Sequence, residues 1–260
     1  MKAVLTVLGS GTSMGVPTIG CTCPVCTSRD PHDRRTRPSV LIEYEGHRVL
    51  IDTTPDFREQ AIREGIRYLD AVLFTHAHAD HIMGLDDLRP LTFWRDGNIP
   101  LYAYPPVIGR IRHVFGYIFE GDYQYGGKGD VVLREIGGPV ELFGVCFLPI
   151  KVMHGKTEIH GFRFGAAAYV TDFSEIPEES MAQLTGLDIL FLDALRHRPH
   201  PTHSTLENSV SLVERLQPRR AFFTHISHDL GHEETNRSLP DHVRLAHDGM
   251  KLEFEIAPNP

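Results

Sequence analysis

The apolar positions of the chain fall into short continuous runs, and polar residues separate one run from the next. The run at 3–8 has strand composition, and the runs at 40–44 and 48–52 flank Glu45 and Gly46, which predicts a hairpin with a tight turn. The run at 71–75 is that of a strand covered on both faces. The pattern therefore predicts short strands first, and strands interleaved with helices after them.

Helix signals lie between these runs. Asp56 is placed to cap a helix over "FREQAIRE", and Gly65 is placed to end it. The segment "LDDLRPL" predicts a short helix that Pro90 limits. The segment "STLE", which starts at Ser204, has the capping-box pattern and predicts a helix to about Gln217. Strands and helices in this order indicate an α/β (α+β) fold.

Several of the apolar runs end at a histidine or an aspartate. In the second half of the chain these residues are His154, Asp172, Asp193 and His225. In sheets with helices on the outside, functional groups gather where strands end and loops meet. Groups that are far apart in sequence can therefore converge on one edge of a layered core.

The stretch "FTHAHADHIMG" places His76, His78, Asp80 and His81 directly after one of these strands. Together with the later strand ends, the candidate metal ligands are His76, His78, Asp80, His81, His154, Asp172 and His225. Imidazole and carboxylate ligands suit Zn, Mn or Fe. Seven ligands are too many for one tetrahedral ion, but they suit two ions that share a carboxylate and a hydroxide. A solvated His-rich loop would not place every group at a strand end.

A second candidate metal site is the Cys-rich loop at about 20–28. Cys21, Cys23 and Cys26 lie within six residues, which favours a metal over a disulfide in an intracellular chain. A structural zinc requires four ligands, and the nearby sequence offers no fourth cysteine. The alternative is three reduced thiols in an exposed loop.

The charge balance argues against a general nucleic-acid surface. The formal net charge is −8, and binding by counterion release requires clustered Lys and Arg. The one dense basic patch, residues 29–38, also contains two aspartates and is interpreted as a solvated loop.

Composition and segment lengths indicate a globular chain of one domain, residues 1–260. Hydrophobic residues make up 41% and charged residues 23%, and no repeat or linker divides the sequence. No apolar run reaches the roughly 18 residues that cross a membrane. The first apolar run breaks at Gly9 and is too short for a signal peptide. We therefore expect a cytoplasmic protein, and base rates alone favour a homodimer.

Several segments, in chain order, resemble one known group of enzymes. The pattern His-x-His-x-Asp-His after a strand is the hallmark of the metallo-β-lactamase superfamily. The segments "LTVLGSGTSMGVPTIGCTCPVC", "VLIDTTPD", "LFTHAHADHIMGL", "YVTDFSE", "LDAL", "FFTHISHD" and "HDGMKLEF" are similar to the phosphoribosyl 1,2-cyclic phosphate phosphodiesterases of the PhnP type. The resemblance covers nearly the whole chain. It implies a four-layer αββα sandwich, the metallo-β-lactamase fold, with the site at one edge.

By position, the resemblance also implies two divalent ions, Zn or Mn, in the active site. The ligands of one ion would be His76, His78 and His154. The ligands of the other would be Asp80, His81 and His225, with Asp172 bridging the two. Asp52 would orient the loop or a ligand, as partners of metal ligands do; a simple strand-end cap is the alternative.

The same resemblance completes the cysteine site and supplies a proton donor. His228 in "THISH" would be the fourth ligand of a structural zinc, so one segment would serve both metal sites. His203 would act with Asp80 as a catalytic residue, donating a proton to the leaving alkoxide and contacting phosphate. His197 and His200 lie in the same segment and compete for that role. A hydroxide between the two cations would attack phosphorus in line.

These features predict a phosphodiesterase that acts on a small cyclic or ribose-linked phosphodiester. One alternative is a tRNA 3′-processing endonuclease, but the excursion at 112–135 is short and carries Glu120, Asp122, Asp130 and Glu135 against Arg112, Lys128 and Arg134. A thioesterase of the glyoxalase II kind has no evident use for the cysteine loop. A non-hydrolytic relative in cofactor biosynthesis would not need all seven ligands. The substrate and the metals remain open.

Overall fold

The computed structural model describes residues 1–93, 96–119 and 127–256, and these residues form strands and short helices in alternation. The strands are β1 (Lys2–Gly9), β2 (Ser39–Tyr44), β3 (His47–Ile51), β4 (Ala71–Leu73), β5 (Ile99–Ala103), β6 (Val131–Glu135), β7 (Val140–Leu142), β8 (Val145–His154), β9 (Thr157–Phe164), β10 (Ala167–Val170), β11 (Ile189–Asp193), β12 (Arg220–Thr224), β13 (Val243–Leu245) and β14 (Lys251–Glu255). The α-helices are α1 (Phe57–Glu64), α2 (Ala79–Ile82), α3 (Arg89–Thr92), α4 (Pro105–Val114), α5 (Gly116–Phe119), α6 (Glu178–Gln183), α7 (Leu206–Leu216) and α8 (His232–Ser238). Glu120 and Asp122, part of the predicted excursion, lie outside the described residues.

The strands form two mixed sheets. In the described part of the chain, the first sheet has the order β14-β1-β2-β3-β4-β5-β6, and the second has the order β13-β12-β11-β10-β9-β8-β7. Each sheet is antiparallel at one side and parallel at the other: β3 to β6 are parallel in the first, and β10 to β13 are parallel in the second. The parallel strands β4, β10 and β11 are continuously apolar up to their last residue and fully buried, because helices cover their outer face and the other sheet covers their inner face.

Three apolar clusters separate the layers. Alternate residues of β1 and β4, such as Leu5 and Leu73, meet the second sheet between the two sheets. Their neighbours Leu8 and Val72 face the other way, toward α1 and α4. The outer face of the second sheet packs against α6 and α7. These layers confirm the expected αββα sandwich. None of the helices in the described residues has the length and apolarity to cross a bilayer.

The predicted turns and helix ends are correct in part. The hairpin turn holds Glu45 and Gly46 at φ 46° and 80°, and Gly65 ends α1 at φ 64°. Asp56 precedes α1 as expected, but its side chain makes no capping bond. Its carboxylate instead accepts from the Arg37 guanidinium at 3.0 Å.

Two helix predictions were wrong in detail. Pro90 does not limit the segment, because a 3-10 turn runs directly into α3. Pro90 lies in the first turn of α3, where the backbone N–H has no partner within the helix and its absence costs no hydrogen bond. The N-cap of α7 is Thr205, whose hydroxyl accepts from the Asn208 amide, and not Ser204. The Ser204 hydroxyl lies 2.7 Å from that of Ser209 instead. The capping-box pattern was therefore displaced by one residue.

Candidate metal centre

The predicted ligands lie at one edge of the sandwich, where strands of both sheets end. His76 and His78 follow β4, and Asp80 and His81 lie on the single turn of α2. The second sheet supplies the remaining groups from the ends of β8, β10 and β12, which are His154, Asp172 and His225. The close approach of the two sheets brings residues separated by about 150 positions to one point, as His225 Nε2 lies 3.4 Å from Asp80 Oδ2.

The ligand atoms fall into two overlapping groups. One group is His76, His78, His154 and Asp172, and the other is Asp80, His81, Asp172 and His225. Within each group the ligand atoms lie within 4.8 Å of one another. Asp172 belongs to both groups, which is the position that a bridging carboxylate requires. These are the two sets that the sequence resemblance implied.

The ring nitrogens of this cluster fit cations better than they fit the protein atoms around them. His76 Nε2 and His81 Nε2 are buried, and neither has a hydrogen-bond partner in the described residues. His81 Nε2 nevertheless lies 3.3 Å from Asp80 Oδ2 and 3.4 Å from Asp172 Oδ1. Buried imidazole and carboxylate groups that converge without hydrogen bonds are the donor set of a divalent cation.

Two histidines of the cluster have raised pKa values, so they hold protons where cations would bind. Burial opposes the charged form of His81, but Asp172 and Asp80 outweigh it and raise the pKa of His81 well above its usual value. Burial likewise opposes the charge of His225, and Asp172 with Asp80 raises its pKa to about 9. Because metal ligands must lose these protons, cation binding here releases protons.

Asp52 holds His81 in one orientation. The Asp52 side chain is fully buried, and its Oδ2 accepts from His81 Nδ1 at 2.8 Å. The Thr75 amide and hydroxyl also donate to Asp52, at 2.9 and 2.7 Å. Occupying Nδ1 in this way directs the Nε2 lone pair of His81 into the cluster. His154 is held similarly, since its Nδ1 lies 2.8 Å from the Thr202 carbonyl.

Three residues of the site have left-handed backbone conformations. Asp52, Asp172 and His225 have φ of 66°, 58° and 58°. Each follows a buried strand by one or two residues, so the chain turns sharply and directs the side chain inward. Non-glycine residues adopt this conformation at a cost of about 1–2 kcal/mol each, which packing elsewhere has to offset.

His203 lies beside the cluster and pairs with a residue that sequence reasoning did not assign. His203 Nδ1 is 2.7 Å from Asp193 Oδ2, and the ring stacks on that of His225 with centroids 4.6 Å apart. Asp193 is fully buried, and burial raises its pKa although His203 opposes that change. The sequence feature that could have identified Asp193 is its position at the end of an apolar strand, which resembles the position of Asp52.

The two competing histidines lie farther from the cluster. His197 is exposed, and its Nδ1 pairs with Glu207 at 2.7 Å. The His200 ring is 5.0 Å from that of His203, and its Nδ1 faces the Thr202 hydroxyl at 3.2 Å. His203 is the one of the three whose ring contacts a predicted metal ligand.

The cysteine loop also meets its predicted fourth ligand. His228 Nδ1 lies 3.1, 3.5 and 3.4 Å from the sulfurs of Cys21, Cys23 and Cys26. A tetrahedral zinc with bonds of about 2.0 Å to nitrogen and 2.3 Å to sulfur would separate ligand atoms by similar distances. The Cys26 amide donates to Cys23 Sγ at 3.4 Å and lowers the pKa of that thiol to about 7. This contact favours the thiolate of Cys23, whereas burial raises the pKa of the Cys26 thiol to about 11.

Comparison with known proteins decides the family. The family model described as the β-lactamase superfamily domain matches residues 47–226. The chain belongs to the β-lactamase superfamily. A solved member, described as a new diphosphatase from the PhnP family, is 62% identical to this chain with a TM-score of 0.94, and the match covers 98% of each chain. These matches confirm the PhnP-type resemblance and identify the chain as a metal-dependent hydrolase of this superfamily.

Other relatives are described by different activities or roles. The octanoyltransferase of Porphyromonas gingivalis is 40% identical over 96% of this chain. The chain spans about half, 51%, of that relative's length. The coenzyme PQQ synthesis protein B of Methylorubrum extorquens is 32% identical, and the match covers 72% of this chain and 71% of that superfamily member.

Proposed function

We propose that this chain is a binuclear metal-dependent hydrolase that cleaves a small phosphorylated substrate at a phosphorus atom with two ester or anhydride linkages. Cyclic or ribose-linked phosphodiesters and disubstituted diphosphates both have such a phosphorus. The 62% identical structure is described as a diphosphatase, which supports the second of these classes. The resemblance to PhnP-type phosphodiesterases supports the first.

One observation carries the proposal. Two ligand groups share Asp172, and the His203–Asp193 pair lies directly against them through the ring of His225. A hydrolysis at phosphorus requires a charge-neutralising centre and a proton donor on the leaving-group side. The ligand groups and the proton donor lie at the same edge of the sandwich, joined by the ring contact between His203 and His225.

The chain's own residues would divide the work as follows. His76, His78 and His154 would hold one divalent cation, and Asp80, His81 and His225 the other. Two cations bound there would lower the pKa of water to near neutrality and neutralise phosphoryl oxygens. Water would lose a proton to solvent, its oxygen would bond to phosphorus, and the bond from phosphorus to the leaving oxygen would break. His203 donates a proton to that oxygen, while Asp193 holds the ring by accepting from its Nδ1.

The cysteine site would act as a structural clamp in this proposal. His225 and His228 lie three residues apart, so a zinc held by Cys21, Cys23, Cys26 and His228 would fix the segment that also carries a catalytic ligand. The Arg35 side chain strengthens the same junction, since its buried guanidinium donates to the carbonyls of Ser227 and Leu230 at 3.0 and 2.8 Å.

The test is hydrolysis of three substrates by protein reconstituted with manganese. The substrates are 5-phosphoribosyl 1,2-cyclic phosphate, a dinucleoside diphosphate and a lactoylglutathione thioester. We expect turnover of one or both phosphorus substrates, and none of the thioester. The Asp172→Ala variant, which lacks the shared carboxylate, should lose both cations and all turnover. Cleavage of the thioester alone would refute the proposal and favour another branch of the superfamily.

A metal-loaded protein that hydrolyses none of the three would also count against the proposal. In that case the similarity to the coenzyme PQQ synthesis protein B would favour a non-hydrolytic role. Metal content measured on the same sample separates this outcome from a failure to load the site.

A further inference from the structure

A cavity opens beside the ligand group of His76, His78 and His154. Its volume is about 230 Å³, and its far wall is formed by α4 and β9. Pro106, Val107 and Ile159 supply an apolar surface, and Arg110 and Glu158 supply the charges. The cavity is therefore adjacent to the proposed reaction centre, but none of its charged residues belongs to the metal ligands.

A second cavity lies beside the His203–Asp193 pair. It has a volume of about 190 Å³ and is lined by His203 and His200, with Thr12 and Arg196 among its other residues. Because His203 donates to the leaving oxygen in the proposed mechanism, the leaving group of an acyclic substrate belongs in this second cavity. The substituent that remains on phosphorus then has the cavity of Arg110 available to it.

Arg110 has an uncommitted charge. Its side chain is exposed, and in the described residues it makes no hydrogen bond or ion pair. Glu158 shares the Lys151 ammonium with Glu179, at 3.1 and 3.7 Å. The first turn of α4 starts with Pro105 and Pro106, which have no N–H groups to offer an anion. Recognition of an anion in this cavity therefore falls to the Arg110 guanidinium.

We propose that Arg110 determines substrate specificity by binding a phosphomonoester, or a similar anion, on the substituent that stays attached to the reacting phosphorus. The inference rests on the proposed function, because His203 assigns the leaving group to the second cavity. A guanidinium matches the geometry of a phosphate through paired N–H donors. The apolar wall of Pro106, Val107 and Ile159 packs against the body of that substituent.

A matched pair of chromogenic diesters tests this assignment. Thymidine 5′-(p-nitrophenyl phosphate) and its 3′-phosphorylated form share a leaving group and differ by one phosphomonoester on the retained side. In Arg110→Met we expect KM for the phosphorylated diester to rise about tenfold, a modest value because the site is exposed, with kcat nearly unchanged. KM for the unphosphorylated diester should change less than about twofold. Arg112→Met is the control, since Arg112 lies on the same helix beside the Phe119 ring and does not line the cavity.

Binding of the products gives a readout that does not depend on turnover. Calorimetric titration of metal-loaded protein with thymidine 3′,5′-bisphosphate and with thymidine 5′-phosphate should show tighter binding of the bisphosphate, and Arg110→Met should abolish the difference. Equal effects on both ligands, or no effect, would overturn the assignment of Arg110. If neither diester is hydrolysed, the three-substrate test decides the proposed function, and the titration still decides whether Arg110 binds the second phosphate.

Discussion

Replacing Asp193 with Asn should slow the reaction only for substrates whose leaving group needs a proton. The Asp193 carboxylate is fully buried, and its Oδ2 lies 2.7 Å from His203 Nδ1. Its other oxygen is buried without a hydrogen-bond partner in the described residues. An Asn amide can present N–H to His203 Nδ1 and favour the wrong tautomer.

The magnitude follows from this contact. A hydrogen bond to a charged group contributes about 1.5–3 kcal/mol, which corresponds to about a 10- to 100-fold loss in kcat when it is removed from the transition state. His203→Ala removes the donor itself, and it should reduce kcat by about 10²–10⁴-fold without releasing metal. Both losses should appear with an alkoxide leaving group. A p-nitrophenolate leaves without a proton, so neither variant should slow its release by more than a few fold.

The assay compares kcat for an alkyl diester and a p-nitrophenyl diester in wild type, Asp193→Asn and His203→Ala, with metal content measured for each protein. Asp188→Asn is the matched control, because Asp188 lies just before the same strand and pairs with Arg220 at 2.8 Å, away from the site. Equal slowing of both substrates would refute the proton-donor role. Loss of metal from His203→Ala would instead make His203 a ligand.

Three further predictions concern the supports around the site. Asp52→Asn should weaken metal binding about 10- to 100-fold in a competition titration, because the orientation of His81 is lost. Chelation of the zinc proposed at Cys23 and its neighbours should raise amide exchange in residues 20–28 before the strands exchange, and unchanged loop protection would contradict that site. Burial, His32 and Arg35 lower the pKa of His232 to about 4, so the unfolded chain binds this proton first as pH falls. The unfolding free energy should fall by up to about 2 kcal/mol between pH 7 and 5, and His232→Gln should remove that part of the decline in a denaturant titration.

Much of the site was predictable because its ligands mark the ends of apolar runs. The run before His76 and the run before His225 are buried on both faces, and the chain leaves each strand at the same edge of the sandwich. Hydrophobic patterning places strand ends well, since a strand that is buried on both faces is mostly apolar. The pairing of the ligands into two groups came from the family resemblance, because strand order and the facing of two sheets are not local properties.

The features that sequence reasoning missed depend on contacts between distant segments. Asp193 lies at the end of its strand, much as Asp52 and Asp172 follow theirs. Its pairing with His203 is known only from the distance between the two side chains. The "STLE" segment contains two adjacent hydroxyl residues, and either could cap the helix. The structure selects Thr205, because Ser204 is drawn into contacts with Ser209 and Asn208. Asp56 is likewise drawn from its helix by Arg37. Side-chain pairs formed across the fold decided each case.

The strained backbone of the site explains why the chain needs two sheets to build it. Asp172 and His225 reach the cluster from the second sheet, and Asp52 supports it from the first, each with a left-handed φ. A single strand end in this conformation would relax, because about 1–2 kcal/mol favours ordinary backbone at each position. Here the neighbouring strands are fully buried on both faces, so relaxation would expose apolar surface in two layers at once. The packing that holds these turns also fixes the separation of the two ligand groups. The positions proposed for two cations would thereby be set by the sandwich itself, before either cation binds.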